Sequence, residues 1–142
     1  MKKLSDYLYE HEYRCKCCGK FPPQFDINHL LQCYMYLFDK FDDLRREWGK
    51  PLYVTSGYRC PKHNKEVGGS DMSAHVFGLA LDIGFKTADD VGRFVTIAKE
   101  VAPDLRLGWK KYLESGQNFV HIDTAFFIWP RPTHDFAEGV EW

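Results

Sequence analysis

Residues 73–82 read SAHVFGLALD, and the meaning of this stretch governs the rest of the chain. His75 and Asp82 stand seven residues apart in an otherwise apolar run, with Gly78 between them. Groups that carry charge are costly in such a run unless something pairs them. If both bind one metal, no regular element brings them together. A straight strand would hold them about 23 Å apart, at about 3.3 Å per residue. A helix would leave about 10 Å along its axis. Zinc takes its donor atoms at about 2.0–2.2 Å, so the chain must turn back between the two, and Gly78 is the residue able to allow it. The competing reading is a histidine satisfied inside the core, with no metal.

A third candidate lies downstream, in NFVHIDT (118–124). Strand alternation puts Phe119, His121 and Asp123 on one face and Val120 and Ile122 on the other. The aliphatic pair then faces a core, and His121 with Asp123 faces a cleft. Two histidines and one aspartate from three segments would leave a fourth metal position open, which is the catalytic kind of zinc site.

Around these segments the periodicities alternate. Ile27, Leu30, Leu31, Tyr34, Phe38, Phe41, Leu44 and Trp48 recur at helical spacing. Asp26 is suited to cap that helix, and Gly49 with Pro51 to end it. PLYVTS (51–56) reads as a strand. Thr87 and Asp90 resemble a capping box for a second helix with Val91, Phe94, Val95, Ala98 and Val101 on its buried stripe. LRLGW (105–109) and NFVHID (118–123) read as short strands. The expectation is an α+β fold, a small and mostly antiparallel sheet flanked by helices. One domain over residues 1–142 is expected, with an irregular cysteine-rich arm over about residues 1–25 and a proline-broken aromatic tail over about 126–142.

Composition narrows the function. The chain has 142 residues, 44% of them hydrophobic and 27% charged, which is ordinary globular stock. A net charge of −1 argues against a nucleic-acid footprint or electrostatic docking to a membrane. No apolar stretch approaches the roughly 18 residues of a span, and the start lacks the apolar core of a secretory signal. Synthesis in the cytoplasm without a signal peptide is therefore expected. Aromatic residues reach 16%, enough to furnish a core of large side chains or a ring-lined cleft.

The five cysteines are Cys15, Cys17, Cys18, Cys33 and Cys60. An odd number cannot all pair within one chain. Three of them crowd into CKCCGK, and Cys60 and His63 of CPKH could complete a second, structural zinc site with them. Reduced thiols packed near the surface are the alternative.

Taken together, SGYRCPKHN (56–64), VGG (67–69), SAHVFGLALD and FVHID (119–123) resemble the zinc D-Ala-D-Ala carboxypeptidases and L-Ala-D-Glu endopeptidases, phage endolysins among them. The resemblance covers roughly residues 10–125 and includes the ordered pattern Ser73, His75, Gly78, Ala80, Asp82. It implies the hedgehog/DD-peptidase fold and a catalytic zinc held in a cleft by His75, Asp82 and His121. It also implies that Arg59 holds a substrate carbonyl or carboxylate, and that Ser73 lies on the substrate side. The implied substrate is the peptide stem of bacterial peptidoglycan, cut by a monomer acting at the cell wall as a phage lysin or exported enzyme.

One departure stands out. Many members carry an acid three residues before the last histidine ligand, where this chain has Asn118. An amide cannot accept the proton of an attacking water. Asp123, on the strand face of His121, is the favoured replacement, with a structural role as its alternative; Glu114, before the flexible SGQN, is the second candidate. The same fold also serves as a zinc-bearing binding module, so an inactive wall-binding or virion structural protein is the rival expectation.

Overall fold

A computed structural model describes residues 2–23, 25, 28–70, 72–127 and 139–142, with the side chains of 28–31 left aside. Four strands, β1 (Tyr53–Ser56), β2 (Ala80–Gly84), β3 (Arg106–Gly108) and β4 (Phe119–Asp123), form one sheet in the order β1-β2-β4-β3. Every neighbouring pair is antiparallel. The architecture is α+β.

Alternation gives the sheet two unlike faces. Leu81, Ile83, Leu107, Val120 and Ile122 are buried on one, in the same core as residues of the two long helices α2 (Asn28–Trp48) and α4 (Ala88–Val101). Along α2 the stripe Tyr34, Leu37, Phe38, Phe41, Leu44 and Trp48 recurs at helical spacing and is buried. Gly49, at φ 79°, closes that helix, its N–H donating to the Arg45 carbonyl at 3.1 Å. On α4, Thr87 Oγ1 accepts the Asp90 N–H at 3.1 Å, and Val91, Phe94, Val95 and Ala98 are buried while Val101 is only half-buried. The expected cap Asp26 and the stripe residue Ile27 lie outside the described residues.

Two expectations are corrected. The N-terminal arm is not simply irregular. It holds a helical turn, α1 (Glu10–Tyr13), whose last residue is fully buried. Tyr13 donates its phenol to the Gly78 carbonyl at 2.7 Å, and its own carbonyl accepts the Tyr58 N–H at 2.7 Å. The close packing requires Gly57, because a Cβ there would sit 2.6 Å from the Tyr13 oxygen. Downstream, LRLGW is not a strand throughout: β3 ends at Gly108 and Trp109 starts the short helix α5 (Lys110–Glu114). A further short helix, α3 (Pro61–Glu66), follows Arg59.

Of the tail, residues 128–138 lie outside the description. Its last residues return to the sheet, where Trp142 N–H donates to the Leu107 carbonyl at 2.9 Å and Leu107 N–H to that of Val140 at 2.9 Å. No described helix is long and apolar enough to cross a membrane.

Candidate metal centre and cleft

The second face of the sheet carries the polar residues in register. Ser56, Asp82, His121 and Gly108 form one row across β1, β2, β4 and β3, and Ala80, Asp123 and Arg106 form the next. Asp82 and His121 are direct cross-strand neighbours, so their side chains project to the same side. His75 reaches them from the turn before β2. There Gly78 adopts φ 76°, in the left-handed region, and the chain doubles back. A Cβ at Gly78 would also meet Pro22 Cγ and Tyr13 Oη at 2.4 Å.

The result is a tight triangle of donor atoms. His75 Nε2 lies 3.1 Å from Asp82 Oδ1 and 3.2 Å from His121 Nδ1, and His121 Nδ1 lies 3.1 Å from Asp82 Oδ1. The outer nitrogens have their own partners. His75 Nδ1–H donates to the Gly57 carbonyl at 2.7 Å, and His121 Nε2–H donates to Asp123 Oδ2 at 2.6 Å. Those bonds turn lone-pair positions of all three groups inward. Three such atoms at this spacing repel one another unless a cation sits among them. Tetrahedral ligands held at about 2.0–2.1 Å stand about 3.3–3.4 Å apart, close to the distances found. The donor set therefore fits a zinc ion.

Without metal, a proton serves as that cation. Burial would lower His121, but its bonds to Asp123 and Asp82 outweigh burial and push it up to about 9. Burial dominates at His75 and pushes it below the ordinary imidazole value. Asp82 is also opposed by burial, yet the charge of His75 and bonds from both histidines hold it well below the usual carboxylate range.

Arg59 braces the far side of Asp82. Its Nη2 donates to Asp82 Oδ2 at 3.2 Å, its Nη1 to Asn64 Oδ1 at 3.2 Å and its Nε to Ser56 Oγ at 3.1 Å. These bonds occupy three of its five N–H donors and leave two. Ser73 lines the same cleft, and its Oγ accepts the His75 N–H at 3.3 Å. The cleft holds about 490 Å³, within the range of ligand pockets of about 300–1,000 Å³.

Asp123 stands behind His121 with both oxygens engaged. Oδ2 faces His121, and Oδ1 accepts the Ala125 N–H at 3.0 Å and lies 3.6 Å from Arg106 Nε. Glu114 is exposed at the end of α5 and does not line the cleft. Asn118 also stays out, donating to the Lys86 carbonyl at 3.3 Å. Among the described lining residues, Asp82 and Asp123 are the carboxylates.

Reading by sequence missed Arg106, Tyr112 and Trp142, all of which line the cleft. Arg106 carried a signal, as a charge between Leu105 and Leu107 in a strand otherwise built for burial. Trp142 carried none. It closes the wall over Gly108, where a Cβ would meet its indole at 2.8 Å, with the Arg106 guanidinium 4.8 Å from its ring centre. Tyr112 packs tilted against Phe119, ring centres 4.1 Å apart, its phenol pushed up by burial and then by the Asp82 charge.

A sheet face thus presents a His-Asp-His triangle that could hold a metal ion, beside a braced arginine. The model of the family Peptidase M15 matches residues 12–123, and the chain belongs to that family of peptidases. No curated protein matches it.

Proposed function

We propose that this chain is a zinc peptidase that hydrolyses the peptide stems of bacterial peptidoglycan, with His75, Asp82 and His121 as the metal ligands. The observation that carries the reading is the triangle of inward lone pairs at 3.1–3.2 Å, which needs a cation. Bound there, zinc supplies a Lewis acid for the scissile carbonyl and lowers the pKa of a water.

The chain's own groups supply the rest. Gly57 and Asp123 hold the two imidazoles in the tautomers that keep a lone pair inward. Arg59 holds Oδ2 of Asp82 and leaves Oδ1 turned toward the histidines. Its two remaining donors are left for a substrate oxygen, where a fixed guanidinium stabilises charge that develops during attack. Ser73 holds the His75 backbone and borders the substrate. The cationic Arg59 and the rings of Tyr112 and Trp142 suit a short peptide bearing carboxylates. Asp123, the non-ligand carboxylate of the cleft, acts on His121 as a positioning residue, and the same group is the one able to take a proton if its bond to His121 loosens. The enzyme works as a monomer at the cell wall, as a phage lysin or an exported protein.

A second reading has an observation of its own. Both oxygens of Asp123 are committed and Asn118 is turned out of the cleft, which favours a zinc-bearing wall-binding or virion module without turnover. Incubation with purified peptidoglycan separates the two. The peptidase releases fragments whose masses identify the bond, as terminal D-Ala loss or as stem cleavage. A binding module sediments with the walls and releases none.

A further inference from the structure

We propose that Cys15, Cys18, Cys60 and His63 form a second, structural zinc site, closed to substrate and distinct from the cleft. The sulfurs of Cys15, Cys18 and Cys60 all lie within 4.8 Å of one another. A tetrahedral zinc with bonds of about 2.3 Å needs its sulfurs about 3.8 Å apart, so little movement is required. The three thiols are free, and pairing any two would strand the third.

The backbone around them is built to receive thiolates. Cys15 and Cys18 embrace a tight turn in which Gly19, at φ 71°, returns its N–H to the Cys15 carbonyl at 2.8 Å. The N–H groups of Cys60, Cys18 and Cys17 point at the Cys15 sulfur, that of Cys60 at 3.3 Å. The Lys20 N–H points at Cys18, and the His63 N–H lies 3.4 Å from the Cys60 sulfur. Each sulfur thus has a backbone donor of its own, the surrounding that structural metal thiolates use.

The spacing is C-x2-C with C-x2-H, a Cys3His set. His63 sits one turn along α3 from Cys60, its side chain one-fifth exposed. Cys17 is the competing fourth ligand, since its sulfur groups with His63 and Glu66. Neither Cys17 nor His63 converges with the three sulfurs in this structure, since both group with Glu66; His63 is the ligand assigned because it is half-buried, whereas Cys17 is exposed between two ligands of a single tight turn. Soft thiolates with one imidazole select zinc over harder cations. The clip would join the arm that carries Tyr13 to the loop that carries Arg59, holding the cleft arginine from behind.

The test uses the whole chain, expressed with zinc and dialysed against metal-free buffer. Two zinc ions per chain are expected in the wild type and one in His75→Ala/His121→Ala. A mercurial thiol reagent should release that remaining ion, and before release only Cys17 and Cys33 should react rapidly with a disulfide reagent. Cobalt loaded into the same double variant should show a thiolate-to-cobalt charge-transfer band. His63→Ala should lose the clip metal and keep the other, and Cys17→Ser should keep both. A double variant that holds no zinc and reacts at all five cysteines overturns the site. Loss on Cys17→Ser without loss on His63→Ala overturns the ligand set. A wild type whose single zinc is released by the mercurial would leave the clip standing and sink the cleft centre instead.

Discussion

Asp123 Oδ2 lies 2.6 Å from His121 Nε2, on the side of the ring opposite the donor triangle. The contact makes the carboxylate an acceptor and fixes the proton on Nε2, so that Nδ1 faces inward. A residue two positions from a metal-ligand candidate therefore acts through that ligand's tautomer.

Asp123→Asn tests this relation. The amide can donate to Nε2, which would move the ring proton to Nδ1 and point it at the metal. Zinc affinity should fall about 10–100-fold, with activity falling alongside it. Competition with a chromophoric chelator reads the affinity. Undiminished zinc binding with abolished hydrolysis would instead make Asp123 the proton acceptor. Glu114→Gln, exposed and away from the cleft, should match the wild type in muropeptide release.

Arg59→Lys should lower kcat about 10²–10³-fold, the usual loss when a fixed donor to developing charge is removed. A lysine ammonium cannot bond Ser56, Asn64 and Asp82 in one plane and keep donors for substrate. Turnover and melting temperature should be measured together. An unchanged kcat with a lowered melting point would assign Arg59 to stability alone.

Zinc binding should release a proton. His121 holds one up to a pH of about 9, and the metal must displace it. Affinity should therefore rise about tenfold per pH unit toward that value and level off above it. Calorimetry in buffers of different ionisation enthalpy counts the proton. In the metal-free chain the sign for stability is opposite. His121 is raised above its unfolded value of about 6.5, so its contribution is complete below that pH and is lost as pH rises through about 9. Affinity that is flat across this window would place the proton elsewhere.

Gly78→Ala should destabilise the chain by about 2–4 kcal/mol, combining a left-handed backbone with overpacking. The added methyl meets Pro22 and Tyr13, and the turn it displaces carries His75. Chemical denaturation measures the loss, and zinc content should fall with it. A stable Gly78→Ala variant with full metal would show that the turn has another way to close.

Much of the cleft was legible because it obeys short-range rules. Strand alternation alone puts His121 and Asp123 opposite Val120 and Ile122, and the seven-residue gap from His75 to Asp82 demands a turn at Gly78. Helical stripes at 3.6-residue spacing mark α2 and α4 the same way. In each case the information lies in neighbours a few positions apart, where backbone geometry leaves few choices.

What the linear pattern could not say was which distant residues meet. Alternation assigns Asp123 a face but not a partner. Its engagement with His121 and Arg106 depends on the register of β4 against β3, which pairs Arg106 with Asp123 directly. The 2.7 Å bond from His75 to Gly57 and the packing of Tyr13 on the same glycine join segments up to 62 residues apart. Trp142 reaches the cleft wall from the far end of the chain. Such contacts come from the collective burial of one core and the closing of its sheet, and no local periodicity encodes them because the loops between them impose almost no direction.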